Sequence, residues 1–389
     1  MTPAGTETVT DAASGRHLLL LGGGHAHLEV LRSFARDPLP DVRLSLISKS
    51  AHAVYSGMLP GFVAGHYSAQ DICIELAPLC RAAKCTLHVA EITGFDAKRR
   101  SVTLRDGRTL AANGISINVG AVTQRTSAAA CGPALNAKPI DDFLQGWPCL
   151  LDELMADDGI QVIVVGAGAA GVELALSIQH RLMHLASVDA CESRVLLIDE
   201  GGLLPGFPAR VRQRLAVLLG RHGITTAGRF NEETGGHRYA LVQATGVRPA
   251  RWLMHSGLAL DAAGFVAVDA DLQSTSHVGI FCAGDAAGSI TGALPKAGVI
   301  AVRQGPVLAE NLRRYATGRV LRPFAPPRRW LSLISAGSRY AVASRGGWSM
   351  EGRLVWLWKD WIDRRFVRRF SVSLWDRATR VISIEEKPK

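Results

Sequence analysis

The chain has 389 residues, and at about 100–200 residues per domain this is two or three domains. With 48% apolar and 20% charged residues it is no disordered polymer, and 40 glycines beside 6% aromatics suit an α/β protein better than an all-β sandwich. Seven cysteines, at 73, 80, 85, 131, 149, 191 and 282, are too scattered for a disulfide framework and suit a reducing compartment. The formal charge of +10 is concentrated in residues 311–389, which hold 18 Lys and Arg against 6 Asp and Glu, and six of the eight tryptophans. Tryptophan mixed with arginine points to an anionic membrane surface, and no nucleic-acid-binding module accompanies it.

Residues 1–15 are small and polar and read as a disordered N-terminus without an export signal. The expected location is the cytoplasm or the cytoplasmic face of a membrane. From His17 the chain runs HLLLLGGGHAHLEVLRSFA, a short apolar strand, a glycine turn and a helix. Gly22-x-Gly24-x-x-His27 is a dinucleotide fingerprint with its third glycine replaced. Gly22 permits the tight turn, Gly24 lets a pyrophosphate approach the backbone, and the helix N-terminus favours the anion. His27 at the packing position implies a wider helix–strand crossing or an altered phosphate contact. His25, beside the turn, is expected to face the cofactor or a phosphate. A strand at 42–48 follows, and where an acidic residue normally holds the adenosine ribose stand Ser48 and Lys49.

GIQVIVVGAGAAGVELALSI (159–178) is apolar enough to mimic a membrane helix, but its buried-strand pattern and glycine spacing predict a strand–turn–helix. It carries the complete fingerprint Gly166-x-Gly168-x-x-Gly171. The next strand, RVLLIDE, ends in Asp199 and Glu200, and a carboxylate there suits two ribose hydroxyls and is hostile to a 2′-phosphate. That favours NADH, while Arg210 and Arg212 keep NADPH open. VGIFCAGDAAG (278–288) is a third feature. A short strand ending in Ala283-Gly284-Asp285 is where a flavoprotein sets a carboxylate against the ribityl chain.

Together these motifs resemble the two-dinucleotide-domain flavoproteins of the pyridine nucleotide-disulfide oxidoreductase superfamily, within it the type II NADH dehydrogenase branch. More narrowly, LGGGHAH, VYSGMLPGFVAGHY (54–67), SINVG (116–120), KPID (138–141), KAGVIAVRQG (296–305) and WKDWIDRRF (358–366) are similar to the flavoprotein module found fused to selenide, water dikinase. The resemblance covers about residues 16–370. It implies an α/β fold with two Rossmann-like domains. A split FAD domain (16–149 and 270–320) encloses an inserted NAD(P)H domain (150–269), and a C-terminal segment (321–389) carries an amphipathic helix. It implies FAD and NADH as cofactors, Gly246 where backbone passes close to a cofactor, and Glu173 beside the nicotinamide or an acceptor at the flavin face.

Hydride transfer to a flavin asks the protein to aim two rings and to stabilise the reduced flavin's charge. Lys296, just before a helix starting near Ala297, is the first candidate for that charge, and Lys138 is the second. Disulfide reductases of the superfamily carry a Cys-x4-Cys pair after the first βα unit. That region has no cysteine here, and Cys80 and Cys85 lie further on, where a helix runs into a strand. Sulfide:quinone oxidoreductases need a reactive cysteine late in the chain, and Cys282 falls inside a strand. Of the glutamine-rich stretch that type II dehydrogenases set beside their quinone, only Gln304 remains, with Val299 and Arg303 at the other positions. No metal site is expected, since His25 and His27 lack partners at ligand spacing.

In EGRLVWLWKDWIDRRFVRRF (351–370), Leu354, Val355, Trp358, Trp361, Ile362, Phe366 and Phe370 share one broad helical face. It suits either a membrane interface or packing on the flavin domain or across a homodimer. The expected function is electron transfer from NADH through FAD to a quinone-like acceptor. The rivals are a flavin reductase for a selenium, sulfur or small-protein acceptor, and a non-turnover FAD/NADH sensor.

Overall fold

The structure, a computed structural model, describes residues 16–124, 134–185, 194–230, 238–289 and 296–371. The expected disordered N-terminus, Cys131 and Cys191 lie outside the described residues. Leu18 to Leu21 fill the first strand, β1 (Arg16–Leu21), and all four are fully buried, as a parallel sheet covered on both faces requires. β1 lies at the centre of a parallel sheet with β2 (Val42–Ser48), β3 (Cys85–Val89), β4 (Gly114–Ile117) and a strand from far along the chain, β10 (Ile280–Cys282). The order is β10–β4–β1–β2–β3. Helix α1 (His25–Arg36) follows β1 and packs against α5 (Gly298–Ala316).

A second parallel sheet takes β5 (Ala134–Asn136), β6 (Gln161–Val165), β7 (Val195–Ile198), β8 (Thr225–Ala227) and β9 (Tyr239–Gln243), in the order β5–β9–β6–β7–β8. Helices α2 (Ile140–Ala156), α3 (Ala169–Leu185) and α4 (Ala209–Arg221) accompany it. The apolar run at 159–178 is therefore β6, a turn and the first half of α3. Among the described residues no helix is long and apolar enough to cross a membrane. The chain crosses between the lobes where Val122–Thr123 pairs antiparallel with Val247–Arg248. Beyond this ribbon, Leu253, Leu258, Val266 and Val268 pack under the first sheet with Leu19 and Ile115.

The last elements are an antiparallel meander, β11 (Ser332–Ser335), β12 (Ala341–Arg345) and β13 (Trp348–Gly352), and helix α6 (Arg353–Arg368). The single apolar face expected for this helix is split in two. Val355 and Trp356 enter the core of the second lobe, while Phe366 and Phe370 enter that of the first. On the outside, Leu354 (78% exposed), Leu357 (47%), Trp358 (37%) and Trp361 (58%) face away from the protein. Apolar periodicity misplaced the face because the inward side is partly ionic. Lys359 and Asp363 are buried there and paired at 2.6 Å. The Lys359 ammonium also donates to the Gly57 carbonyl, Tyr55 Oη donates to Asp363 at 3.1 Å, and Tyr67 Oη donates to Asp360 at 2.7 Å. The segment 54–67 is thus held from above by α6.

Candidate functional site

In the first βα turn, Gly22 adopts φ +92°, and a Cβ there would stand 2.6 Å from the Asn118 carbonyl oxygen. Gly24 is required for a related reason, since a Cβ on it would collide with the Asn118 side chain. That side chain joins three segments. Its Oδ1 accepts from the backbone N–H of Ala26 (3.1 Å) and of His27 (3.4 Å), and its Nδ2 donates to the Ala283 carbonyl (2.8 Å). His27 does not reach a ligand site. Its ring is fully buried, with Nδ1 on the Gly22 carbonyl at 2.6 Å and Nε2 on Ser116 Oγ at 2.8 Å. Burial pushes its pKa down to about 4, so the ring is neutral and can donate from one nitrogen while accepting at the other.

The turn opens on a cavity of about 470 Å³ between the lobes. Gly22 to His25, Ser48, Lys49, Asn118, Lys138, Gly284 and Asp285 all line it, so most of the sequence-predicted cofactor residues of the first lobe converge. Lys138 and Asp285 form an ion pair on its wall. Ser48 is buried at the end of β2, while Lys49 bridges to Asp142 of α2 at 2.7 Å, both half-exposed. Lys296 and Gln304 are placed elsewhere. Lys296 lies off the lining, its ammonium on the Ala287 carbonyl and 3.6 Å from the centroid of the Phe265 ring. Gln304 is buried in α5, where its Oε1 accepts from the Gly284 N–H at 2.7 Å. It therefore shapes the turn that presents Asp285. Lys138, the second candidate by sequence, lines the cavity beside Asp285.

The second turn keeps all three glycines. Gly166 has φ +108°, and a Cβ there would stand 2.6 Å from the Ala244 carbonyl oxygen; a Cβ on Gly171 would collide with the Gly166 carbonyl. Gly168 has open space where a side chain would be. The Gly166 N–H donates to the Ile198 carbonyl at 3.0 Å, which sets the turn beside Asp199 at the C-terminal edge of the sheet. Gly246 lies in the interlobe crossing, its carbonyl accepting from the Gln124 N–H at 2.7 Å, and is not part of the cavity lining. Glu173, two residues after Gly171, is half-buried and accepts from the Ser335 N–H of β11 at 2.8 Å. Burial pushes its carboxyl pKa up to about 7, against a smaller opposing pull from Lys359.

Residues 16–305 match the pyridine nucleotide-disulphide oxidoreductase family. The chain belongs to that family. As a member it is an oxidoreductase working with FAD and NADH. It is similar to type II NADH:quinone oxidoreductase of Staphylococcus aureus, 23% identical over 390 residues that span 92% of this chain and 96% of the relative. Among solved structures it is similar to sulfide:quinone oxidoreductase of Aquifex aeolicus (TM-score 0.74, 17% identity, 92% of this chain and 93% of that one). It is likewise similar to NDH2 of Plasmodium falciparum in complex with NADH (TM-score 0.72, 15% identity, 91% and 97%).

Features of this family member agree with a bound flavin dinucleotide. The cavity is of cofactor size, and the N-terminal turn of α1 that faces it carries no acidic residue. Beside Lys138 and Asp285, His25 brings a buried ring nitrogen, Nε2, with no partner among the described residues. Asn118 escaped the sequence reading, although its SINVG segment carries the resemblance. The missing signal was its position on β4, next to β1 in space but not in sequence. Cys80, Cys85 and Cys282 are buried, which suits packing, and among the described residues no cluster of three or more His, Cys, Asp or Glu could hold a metal.

Proposed function

We propose that this chain oxidises NADH through FAD bound in the interlobe cavity and delivers the electrons to a quinone-like acceptor at a membrane surface. FAD supplies the hydride- and electron-accepting chemistry. The residues assigned to it are the Gly22–Gly24 turn for the pyrophosphate, Asp285 for the ribityl hydroxyls, and Lys138 for negative charge on the ring system. Gly166, Gly168, Gly171 and Asp199 are assigned to NADH in the second lobe.

The observation that carries the acceptor reading is α6. Its inner face meets the cavity wall, where Phe366 stacks on Tyr55 (4.4 Å between centroids) and both contact His25, which lines the cavity. Its outer face exposes Leu354, Leu357, Trp358 and Trp361 with Arg353, Arg365 and Arg368 alongside. A lipophilic, cation-flanked surface thus stands one helix away from the cavity, which suits an acceptor dissolved in an anionic bilayer. The burial of Gln304 favours a second reading, in which a sulfur, selenium or small-protein acceptor replaces quinone.

The test is anaerobic stopped-flow reduction of the purified protein by NADH, followed by mixing with a short-chain quinone. Fast bleaching of the flavin and fast recovery with quinone are expected. Bleaching without recovery favours the second reading, and a protein that binds FAD but is not bleached by NADH overturns the proposal.

A further inference from the structure

A second cavity, of about 380 Å³, lies between α4 and β13. No residue of either glycine turn lines it, nor does Asp199, which sets it apart from both dinucleotide sites. Its polar lining is Arg210, Gln213, Arg214 and Arg221 of α4 with Glu351 of β13, and Val217 and Leu218 supply the apolar part. The helical repeat sets Arg210, Arg214, Val217 and Arg221 in one stripe along α4.

Three guanidiniums against one carboxylate leave this cavity with an excess of positive charge. Arg210 stands in the first turn of α4, where the helix dipole is already positive and no acidic residue offsets it. Among the described residues neither Arg210 nor Arg221 has an ion pair. Arg214 is held without being satisfied. Its Nε lies 3.8 Å from a Glu351 oxygen, and its Nη1 is shut off from water with no acceptor among the described residues. Buried donors without acceptors are costly and like charges along a helix repel, so the lining is most stable with an anion among the arginines. The planar fork of arginine matches phosphate oxygens two at a time, and Gln213 adds a neutral donor.

The border of the cavity names the source of that phosphate. β13 runs directly into α6, and close to Glu351 in the chain Trp348 (48%), Met350 (42%) and Leu354 (78%) are exposed. The charged cavity thus stands where the outer face of α6 begins. A soluble phosphate compound gains nothing from apolar neighbours, whereas a lipid sets its headgroup among the arginines and its acyl chains over the apolar side chains.

We infer that the cavity between α4 and β13 is a phosphate site that takes the headgroup of an anionic membrane lipid and so fixes how the second lobe sits on the bilayer. This rests on the membrane-surface reading of α6 above and adds to it a contact that selects phosphate by shape as well as charge.

The experiment is sedimentation of the FAD-loaded protein with vesicles of phosphatidylcholine, alone or mixed with phosphatidylglycerol, at fixed ionic strength. Arg210→Lys/Arg214→Lys keeps every charge and loses both forks, which separates a built site from diffuse attraction. It is expected to bind the mixed vesicles about fivefold more weakly than wild type, and Arg210→Gln/Arg214→Gln about thirtyfold more weakly. Wild-type binding by the lysine variant overturns the inference and leaves the membrane reading standing. Wild-type protein that ignores both kinds of vesicle sinks the membrane reading itself. Titration with glycerol 3-phosphate in the absence of vesicles separates the two sources of phosphate. Millimolar binding is expected, and micromolar binding gives the site to a soluble phosphate compound and overturns the lipid assignment.

Discussion

The two βα turns start from the same fingerprint and close in different ways. In the second, Gly171 brings helix against strand with no atom to spare, and Ala244 stands where the backbone of β9 leads out. In the first, His27 takes the glycine's place and turns its ring beneath the turn to hold the Gly22 carbonyl and Ser116, while Asn118 caps the helix. Packing by absence is exchanged for packing by hydrogen bonds. The glycine pattern thus describes a backbone path, and more than one set of side chains can support it. The contrast extends two residues further along each helix. Glu29 pairs with Arg32 and, at 2.9 Å, with Arg369, whereas Glu173 accepts from the Ser335 N–H.

The sharpest way to break this comparison is Gly171→Ala. The added methyl meets backbone, which cannot step aside, so a loss of roughly 3 kcal/mol or more is expected in urea denaturation. A stability within 1 kcal/mol of wild type, on the order of a surface change, would show that the second turn also has room to adapt. Glu173 comes next. Its folded pKa of about 7 lies above the ordinary 4.5, so the folded state binds the extra proton. The protonated side chain favours the fold below about pH 4.5, and this contribution is lost as pH rises through about 7. Wild type is therefore expected to lose about 2–3 kcal/mol more than Glu173→Gln between pH 4.5 and 8. Parallel curves for the two proteins would refute the raised pKa.

His27→Gly restores the standard fingerprint in the first turn and yet is expected to destabilise by about 2 kcal/mol, because the Gly22 carbonyl and Ser116 lose a buried partner. A gain in stability would mean that the histidine serves something other than the turn. The smallest effect on the fold belongs to Trp361→Ser on the outer face of α6, where the ring is 58% exposed. Stability should stay within about 0.5 kcal/mol, while affinity for phosphatidylglycerol vesicles falls about fivefold. Unchanged vesicle binding would remove this face from any role at a membrane.

Both turns, their strands and helices, and the Ala283-Gly284-Asp285 corner were legible in the sequence, because glycine spacing and buried-strand patterns are local signals. The errors came where contacts are distant. Lys296 follows the Asp285 corner in sequence, but Lys138, from another segment altogether, is the residue paired with Asp285. Gln304 matched a family stretch by position, and only the packing of α5 under Gly284 shows it turned inward. In α6 the buried Lys359–Asp363 pair displaced the apolar face, since periodicity ranks a buried ion pair as solvent-facing.

Helix α6 has a consequence for how the protein is made. Val355 and Trp356 complete one hydrophobic core, and Phe366 and Phe370 complete the other. Neither lobe can shed its last exposed apolar surface on the ribosome until residues near 370 have emerged. Both nascent lobes therefore wait for the same helix, and through most of synthesis they are natural clients for chaperones.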